Sequence, residues 1–374
     1  MLGQSWILTP EGVVDSEEAR RRASSLKAPA VGGPPGLRGR LPVAIRVAYK
    51  DVRQAVRAHR FRKSGIAGPW QSSDLAFVWQ RHDLFYTTGM FAADALKCPL
   101  VLFVDAPVIW EHRRWGIPRP PGWGKVIEAA GENRLFRKAA LVACVSDEVS
   151  EEIGRRGIPE DRIVVTPNGV DLNLFGNNDG SRVRRDYDLV DSQVVGWIGT
   201  FRPFHGIELA VEAVRAVQEK IPNVALLLVG EGSERQAIEE LCRTRGIRNA
   251  VFTGAVPHHL MGAYLSAMDV GLVLAGDSSH FHYSPLKLRE YMACSVPVIA
   301  PRVGEMSRML QDGTDALLVD PDDSSMLANA IHQVLTDPHL SKQLSITGRH
   351  RMAKEGSWTR PVERVLDSLA RIER

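Results

Sequence analysis

From about residue 190 onwards, continuous apolar runs alternate with stretches of helical periodicity. The runs lack the polar–apolar alternation of a strand with one wet face, so both faces of each predicted strand are expected to be covered. Strands that alternate with amphipathic helices predict a parallel, doubly wound α/β sheet. The predicted strands of this half are VVGWIGT (194–200), VALLLVG (224–230), AVFTGAV (250–256), DVGLVLAG (269–276) and VPVIAP (296–301).

The first half repeats this pattern less regularly. Its predicted strands are DLAFVW (74–79), PLVLFVD (99–105), ALVACVS (140–146) and RIVVTPNG (162–169). Before them, SEEARRRASSL (16–26) and YKDVRQAVRAHRFRK (49–63) are expected to be helical, and residues 1–40 contain no convincing strand.

The chain is long enough for two α/β domains, since it has 374 residues. The polar stretch FGNNDGSRVRRDYDLVDS (175–192) is the best linker between them. The two domains are expected to face each other across a cleft, where the carboxyl ends of both sheets bind ligands. The predicted limits are 1–175 for the first domain, 176–192 for the linker, 193–355 for the second domain and 356–374 for a C-terminal helix that crosses back toward the first domain.

Composition narrows the class of function. A 44% hydrophobic and 24% charged content is that of a soluble globular protein. The net charge of +3 suits an anionic substrate but is too small to argue for nucleic acid. No apolar run reaches the roughly 18–20 residues that span a bilayer. Four dispersed cysteines without a C-x-x-C pair indicate free thiols, which predicts a cytoplasmic location.

The stretch SPLKLREYM (284–292) combines a helix start with charged side chains. Ser284 is predicted to be the N-cap and Pro285 the first helical residue. The free N–H groups of the first turn attract an anion, and Lys287 adds a full positive charge there. Glu290 is an acceptor that could hold paired hydroxyls such as a ribose diol. An ordinary capped helix, with Lys287 and Glu290 solvated and paired, is an equally open interpretation of this stretch alone.

A second basic loop lies in GTFRPFHGIELAVEAV (199–214), between a predicted strand and the helix after it. Arg202 can hold phosphate oxygens in a fork, and a protonated His205 could assist. A solvated surface loop is the alternative. Because both basic loops follow strands of the same predicted sheet, a shared anion site is favoured.

In the first half, the segment 104–124 places Asp105 at a strand end, followed by Trp110, Trp115 and Trp123. Aromatic rings beside polar groups suit a sugar or polyol. They also suit the edge of a membrane, where tryptophan prefers the interface, so peripheral contact with a lipid surface stays open. A packed loop with a basic rim is the third interpretation.

Several stretches occur together in a fixed order, and in this combination the chain resembles the family-4 (group 1) retaining glycosyltransferases of GT-B architecture over residues 74–374. The stretches are VSDEVSEEIGRRGIPEDRIVVTPNGVDLNLF (145–175), GTFRPFHGIELAVEA (199–213), LLLVGEGSER (226–235), SPLKLREYMACSVPVIA (284–300) and DGTDALLVD (312–320).

The resemblance implies two Rossmann-like domains. The second binds a nucleoside-diphosphate sugar and the first binds an acceptor hydroxyl. It also implies transfer with retention through a front-face mechanism, in which the departing phosphate helps to deprotonate the acceptor. No cofactor and no essential metal are expected, because a helix end and basic side chains neutralise the leaving diphosphate.

Residue by residue, the resemblance carries over unevenly. The family's two glutamates, eight positions apart, fall on His282 and Glu290. The helix start at Ser284 and Leu286 is expected to hold the diphosphate. His282 takes the position usually near the donor sugar, which makes it a candidate catalytic residue.

The remaining positions also depart from the family pattern. The family's basic pair on the first-strand loop falls on Thr200 and His205, which leaves Arg202 and Lys287 as the substitute cations. The acceptor-side histidine falls on Asp105, a candidate catalytic residue that would orient the acceptor.

The family's opening strand and glycine-rich loop have no good counterpart, because GGPPG (32–36) is a poor replacement. The acceptor-side domain is therefore expected to be truncated or rebuilt at its start. Two alternatives to a transferase follow: a nucleotide-sugar epimerase of the same architecture, and a catalytically inactive homologue that only binds nucleotide-sugar.

Overall fold

The computed structural model of the chain describes residues 6–9, 12–15, 42–63, 76–276 and 281–372. These residues fall into two compact units. One consists of the described residues up to Pro167 together with those from Val362 onwards, and the other is Asn168–Pro361.

The first unit contains a four-stranded parallel sheet of order β3-β4-β5-β6 and a separate two-stranded hairpin, β1-β2. Its strands are β1 (Trp6–Thr9), β2 (Gly12–Asp15), β3 (Val78–Arg81), β4 (Leu100–Val104), β5 (Leu141–Cys144) and β6 (Ile163–Val165). Its helices are α1 (Val43–Lys63), α2 (Thr88–Leu96), α3 (Val108–Arg114), α4 (Trp123–Glu128), α5 (Arg134–Lys138) and α6 (Asp147–Arg155), with a π-helical segment, Ala129–Asn133, between α4 and α5.

Two of the four predicted strands of this half are buried as predicted, whereas β3 alternates between half-buried and exposed residues and β6 is half-buried. Every residue of β4 and β5 is buried. The strand predicted at 74–79 begins later, at Val78, where its pairing with Leu100 starts.

The prediction of no strand in residues 1–40 is wrong. β1 and β2 pair antiparallel, with Thr9 opposite Gly12. Two short β-prone runs separated by two residues have the spacing of a hairpin, and this spacing could have revealed it. The predicted helix at 16–26 and the GGPPG stretch lie outside the described residues.

The second unit contains a six-stranded parallel sheet of order β12-β11-β10-β7-β8-β9. Its strands are β7 (Gln193–Ile198), β8 (Val224–Val229), β9 (Ala250–Gly254), β10 (Val270–Leu272), β11 (Val298–Pro301) and β12 (Leu317–Val319). Its helices are α7 (Leu172–Phe175), α8 (Ser181–Asp186), α9 (Ile207–Gln218), α10 (Arg235–Thr244), α11 (Met261–Leu265), α12 (Leu286–Ala293), α13 (Gly304–Met309), α14 (Ser324–Thr336) and α15 (Pro338–Glu355). The last helix of the chain is α16 (Thr359–Ile372).

This strand order is that of a doubly wound Rossmann-type sheet, which confirms the predicted fold class. The order reverses between β7 and β10, and helices cover both faces in two separate apolar clusters. Open α/β sheets bind their ligands at the carboxyl ends of the strands that flank such a reversal. The loops that follow β7 and β10 are therefore expected to form the ligand-binding site.

The predicted domain limits of 1–175, 176–192, 193–355 and 356–374 stay predictions. Within the segment proposed as a linker, Val183 and Leu189 are buried in the core of the second unit. Val365 and Leu369 of α16 are buried in the core of the first unit.

Helix α12, which follows the β10 loop, is fixed to the sheet by Tyr291. The fully buried Tyr291 hydroxyl accepts a hydrogen bond of 2.9 Å from the N–H of Ile198 at the end of β7. Its ring packs on Gly271 of β10 so closely that a β-carbon there would lie 2.6 Å from a ring carbon. The small residue and the tyrosine together set the distance of α12 from the sheet.

We therefore expect Tyr291→Phe to lower the free energy of unfolding by about 1–3 kcal/mol, because it leaves the buried Ile198 N–H without an acceptor. Urea denaturation followed by circular dichroism measures the change. The neighbouring Tyr283→Phe is the matched control, with an expected change within about 0.5 kcal/mol. Equal stability of Tyr291→Phe and the parent would show that this hydrogen bond does not hold α12.

Candidate functional site

The start of α12 differs by one residue from the sequence prediction. Pro285, with an extended backbone, occupies the N-cap position, and none of the described side chains caps this end. The predicted N-cap, Ser284, instead accepts a hydrogen bond at its hydroxyl from the N–H of Asn168, 3.1 Å away. Its carbonyl accepts a second one from the Asn168 side chain at 2.9 Å. In the described part of the chain the first-turn amides of α12 thus have no side-chain acceptor, which suits an anionic ligand.

Lys287, in the first turn of α12, carries a buried ammonium group. Its Nζ has no hydrogen-bond partner among the described residues. It lies 4.4 Å above the centroid of the Trp197 ring, and a β-carbon on Gly199 would be 3.0 Å from it. Burial lowers the pKa of Lys287 to about 7, which the carboxylate of Glu290 only partly offsets. The interpretation of Lys287 as a solvated partner of Glu290 is therefore wrong.

His205 faces the same ammonium group from the β7 loop. Burial lowers its pKa to about 3, and the positive charges of Lys287 and Arg202 add to the shift. This lowered pKa favours the neutral form of His205 in the free protein, and the role of His205 in donor binding stays a prediction. Arg202 and Thr200 are exposed on the same loop.

Glycines hold this loop in place through close backbone contacts. A β-carbon at Gly230 would collide with the carbonyl oxygen of Gly199, and one at Gly232 would collide with the backbone of Phe201. Gly206 meets Gly276 after β10 in the same way. The GEGSER motif, which is no dinucleotide fingerprint, is thus a packing motif that brings the β8 loop against the β7 loop.

Glu290, one turn after Lys287, has a mostly buried side chain, 13% exposed. Its Oε1 is 3.8 Å from Nε2 of His258, and the interaction with this carboxylate raises the pKa of His258. Sequence reasoning missed His258, because it lies after β9 and nothing in its local sequence points to Glu290.

The other predicted site residues are Leu286, His282 and Asp105. Leu286 is exposed at the first position of α12. His282 is fully buried, with its ring edge-on to Tyr283, and this burial does not favour contact with a donor sugar. In the first unit, Asp105 follows β4 and accepts a hydrogen bond of 2.7 Å from Arg81. The roles of these residues stay predictions.

Two parallel α/β sheets in separate units are the architecture of the GT-B class, and solved structures of that class match the chain. Anabaena HepE, solved in a complex with UDP and glucose, is 19% identical, covers 87% of this chain and 82% of its own, and superposes with a TM-score of 0.64. The sucrose-phosphate synthase of Thermosynechococcus elongatus is 24% identical over 79% of this chain and 73% of its own, with a TM-score of 0.60. At these identities the likeness concerns the fold.

Sequence comparison defines the family. Residues 7–174 match the family described as Glycosyltransferase Family 4, and residues 192–337 match Glycosyl transferases group 1. A D-inositol 3-phosphate glycosyltransferase of Acidothermus cellulolyticus is 31% identical over 322 residues, which are 76% of this chain and 70% of the relative. The chain belongs to the group 1, family 4 glycosyltransferases.

Other relatives are matched over a smaller part of their length. A GDP-mannose-dependent α-(1-6)-phosphatidylinositol monomannoside mannosyltransferase of Mycolicibacterium smegmatis is 25% identical over 63% of this chain and 64% of its own length. All of these relatives are named as transferases. This supports glycosyl transfer rather than the epimerase or the inactive homologue.

None of the described helices has the length and apolar character required to cross a bilayer.

The buried ammonium group of Lys287 has a measurable consequence for stability. The unfolded chain keeps its Lys287 proton up to the ordinary value of 10.5, whereas the folded chain releases it near pH 7. The free-energy cost of burying the charged Lys287 therefore has its full value below pH 7. This cost decreases as the pH rises from 7 toward 10.5. Removing the charge should stabilise the protein at neutral pH.

We expect Lys287→Met to raise the free energy of unfolding by at least about 1 kcal/mol at pH 7, and by less at pH 9. Urea denaturation at both pH values measures this. Lys220→Met, which removes an exposed lysine of the same unit, should change stability little at either pH. A Lys287→Met variant less stable than the parent at pH 7 would contradict the unpaired, buried cation.

Proposed function

We propose that the chain transfers a sugar, with retention, from a nucleoside-diphosphate sugar to an acceptor hydroxyl, and that Lys287 receives the diphosphate. The observation that carries this proposal is the buried Lys287 ammonium, which has no hydrogen-bond partner among the described residues, beside a start of α12 that no described side chain caps. The two features lie at the point of strand reversal, where this kind of sheet binds ligands.

The free-energy cost of a buried, unpaired charge explains why Lys287 indicates an anionic ligand. An unpaired charge in a buried position costs several kcal/mol, and proteins usually avoid it. A bound diphosphate would supply the missing partner, restore the charged state of Lys287 and receive hydrogen bonds from the first amides of α12. The exposed Arg202 would add a second charge from the β7 loop. Thr200, Ser284 and Leu286 would line the same place.

Glu290 is proposed to hold the ribose diol of the donor. Its carboxylate is an acceptor-only group, and two hydroxyls can donate to its two oxygens. Nε2 of His258 lies 3.8 Å from one of these oxygens and would help to orient the carboxylate. The base of the nucleotide is left open, because the relatives include proteins with GDP-mannose in their name and others solved with UDP.

During transfer, negative charge builds up on the leaving diphosphate. Lys287, Arg202 and the α12 amides would stabilise it in a site shielded from water. This charge set supports transfer without an essential metal. Asp105 is proposed to orient the acceptor hydroxyl, while the departing phosphate takes its proton. The proposal places the chain in the cytoplasm, with four cysteines that are free.

We expect Lys287→Met and Glu290→Gln each to weaken binding of a nucleoside-diphosphate sugar by about 10- to 100-fold, because each removes one charged hydrogen-bonding group. Calorimetric titration with UDP-glucose and GDP-mannose measures the change. Lys220→Met is the control, and thermal melting verifies that each variant is folded. Unchanged affinity in both variants would remove the site assignment.

The same titration at several pH values tests the charge state. Only the charged form of Lys287 would bind the diphosphate well, and its pKa in the free protein is about 7. The affinity of the parent should therefore fall about fivefold between pH 7 and pH 8, from the decreasing charged fraction. If the affinity of the Lys287→Met variant does not change with pH, the fall in the parent is due to Lys287. An affinity of the parent that is the same at pH 7 and pH 8 would contradict binding through the charged form of Lys287.

Turnover tests the reaction itself. Release of nucleoside diphosphate from the sugar donor should require an acceptor, with inositol phosphates and phosphatidylinositol as the first acceptors to try. The anomeric configuration of the product, measured by NMR, should match that of the donor. Isomerisation of the sugar without an acceptor would support an epimerase, and binding without any turnover would support an inactive homologue.

A further inference from the structure

We propose that helix α1 of the first unit docks on the surface of an anionic phospholipid bilayer. Its exposed side carries an apolar stripe: Ile45, Tyr49, Val52 and Val56 are 48%, 51%, 50% and 47% exposed. The spacing of four, three and four residues puts all four on one line along the helix. Such a stripe is normally buried against a core or a partner.

The orientation of α1 is fixed by its opposite side. Asp51, the only acidic residue of the helix, is buried and accepts two hydrogen bonds from Arg119, at 3.0 and 3.1 Å. It also accepts one from Trp123 at 3.1 Å. Gln54 donates to Asp83 at 2.7 Å, and Ala58 is buried. These contacts hold one face of α1 on the first unit, so that the apolar stripe points outward.

A row of cations runs beside the apolar stripe. Each stripe residue is followed directly by a basic one, and all the basic side chains concerned are exposed. They are Arg46, Lys50, Arg53 and Arg57. Successive residues on a helix are about 100° apart, so the cations form a second line parallel to the first. An apolar line next to a cationic line is the pattern of a helix that lies in a membrane interface.

An apolar groove continues the stripe toward α4. It has a volume of about 440 Å³ and is lined by Val52, Val56, Phe85, Trp123 and Ile127, among others. Trp123 stands at its wall, and Val126 beside it is 56% exposed. Tryptophan favours the boundary between headgroups and acyl chains. The groove thus extends the apolar area that a bilayer would cover.

Charge complementarity identifies the occupant as an anionic lipid surface. Four cations without an exposed acid on the same helix attract phosphatidylglycerol- or phosphatidylinositol-type headgroups. A nucleic acid would match the cations but would leave the apolar stripe in water. A second copy of the chain would bury the stripe but would bring like charges together. The proposal does not depend on turnover, since vesicle binding can be measured without donor or acceptor.

Sedimentation of the full chain with vesicles tests the proposal. We expect binding to phosphatidylcholine vesicles in which about one lipid in three is phosphatidylglycerol, and little binding to vesicles of phosphatidylcholine alone. Arg53→Gln with Arg57→Gln should lower the partition coefficient about 25-fold, or about fivefold for each charge. Val52→Ser with Val56→Ser should lower it by a factor on the order of 10 or more.

A matched control distinguishes the α1 surface from a general loss of apolar and basic groups. Val190→Ser with Arg215→Gln removes an exposed apolar and an exposed basic group of the second unit and should leave vesicle binding unchanged. Equal binding of the parent to neutral vesicles would overturn the proposal. So would unchanged binding of the α1 variants, or a molar mass that falls in Val52→Ser/Val56→Ser without lipid, which would assign the stripe to a second copy.

Discussion

The buried ammonium group of Lys287, which no described residue pairs with, organises the candidate site. It is held over Trp197 by α12, and α12 is held by the Tyr291 hydroxyl on the end of β7. Both contacts join α12, which follows β10, to residues of β7. The position of the charge therefore depends on how α12 packs against β7.

This dependence explains why the second unit uses glycine at so many close approaches. The loops after β7, β8 and β10 meet at Gly199, Gly230, Gly206 and Gly276, where a β-carbon would force backbones apart. Close backbone packing makes the loops rigid, and rigid loops keep an unpaired charge from relaxing into water. A preformed site of this kind loses little entropy when a ligand binds.

The sequence was sufficient for the parallel strands, because strands covered on both faces leave long apolar runs. It was insufficient where a distant residue decides the outcome. Ser284 has the chemistry of an N-cap, but Asn168, 116 residues away, takes its hydroxyl. His205 has an ordinary sequence context, yet burial beside Lys287 keeps it neutral. The β1–β2 hairpin was missed for another reason, since its strands are too short to show a period.

Lys287 and the row of cations on α1 follow opposite physical rules. Lys287 is buried, so its charge costs stability and is shielded from salt. The cations of α1 are exposed, so they cost little, and at 0.1 M salt their field reaches only about 10 Å. A single buried charge suits a single small anion that must fit one place. A row of exposed charges suits a broad surface without a fixed register, and this difference is our reason for assigning a donor diphosphate to the first and a lipid surface to the second.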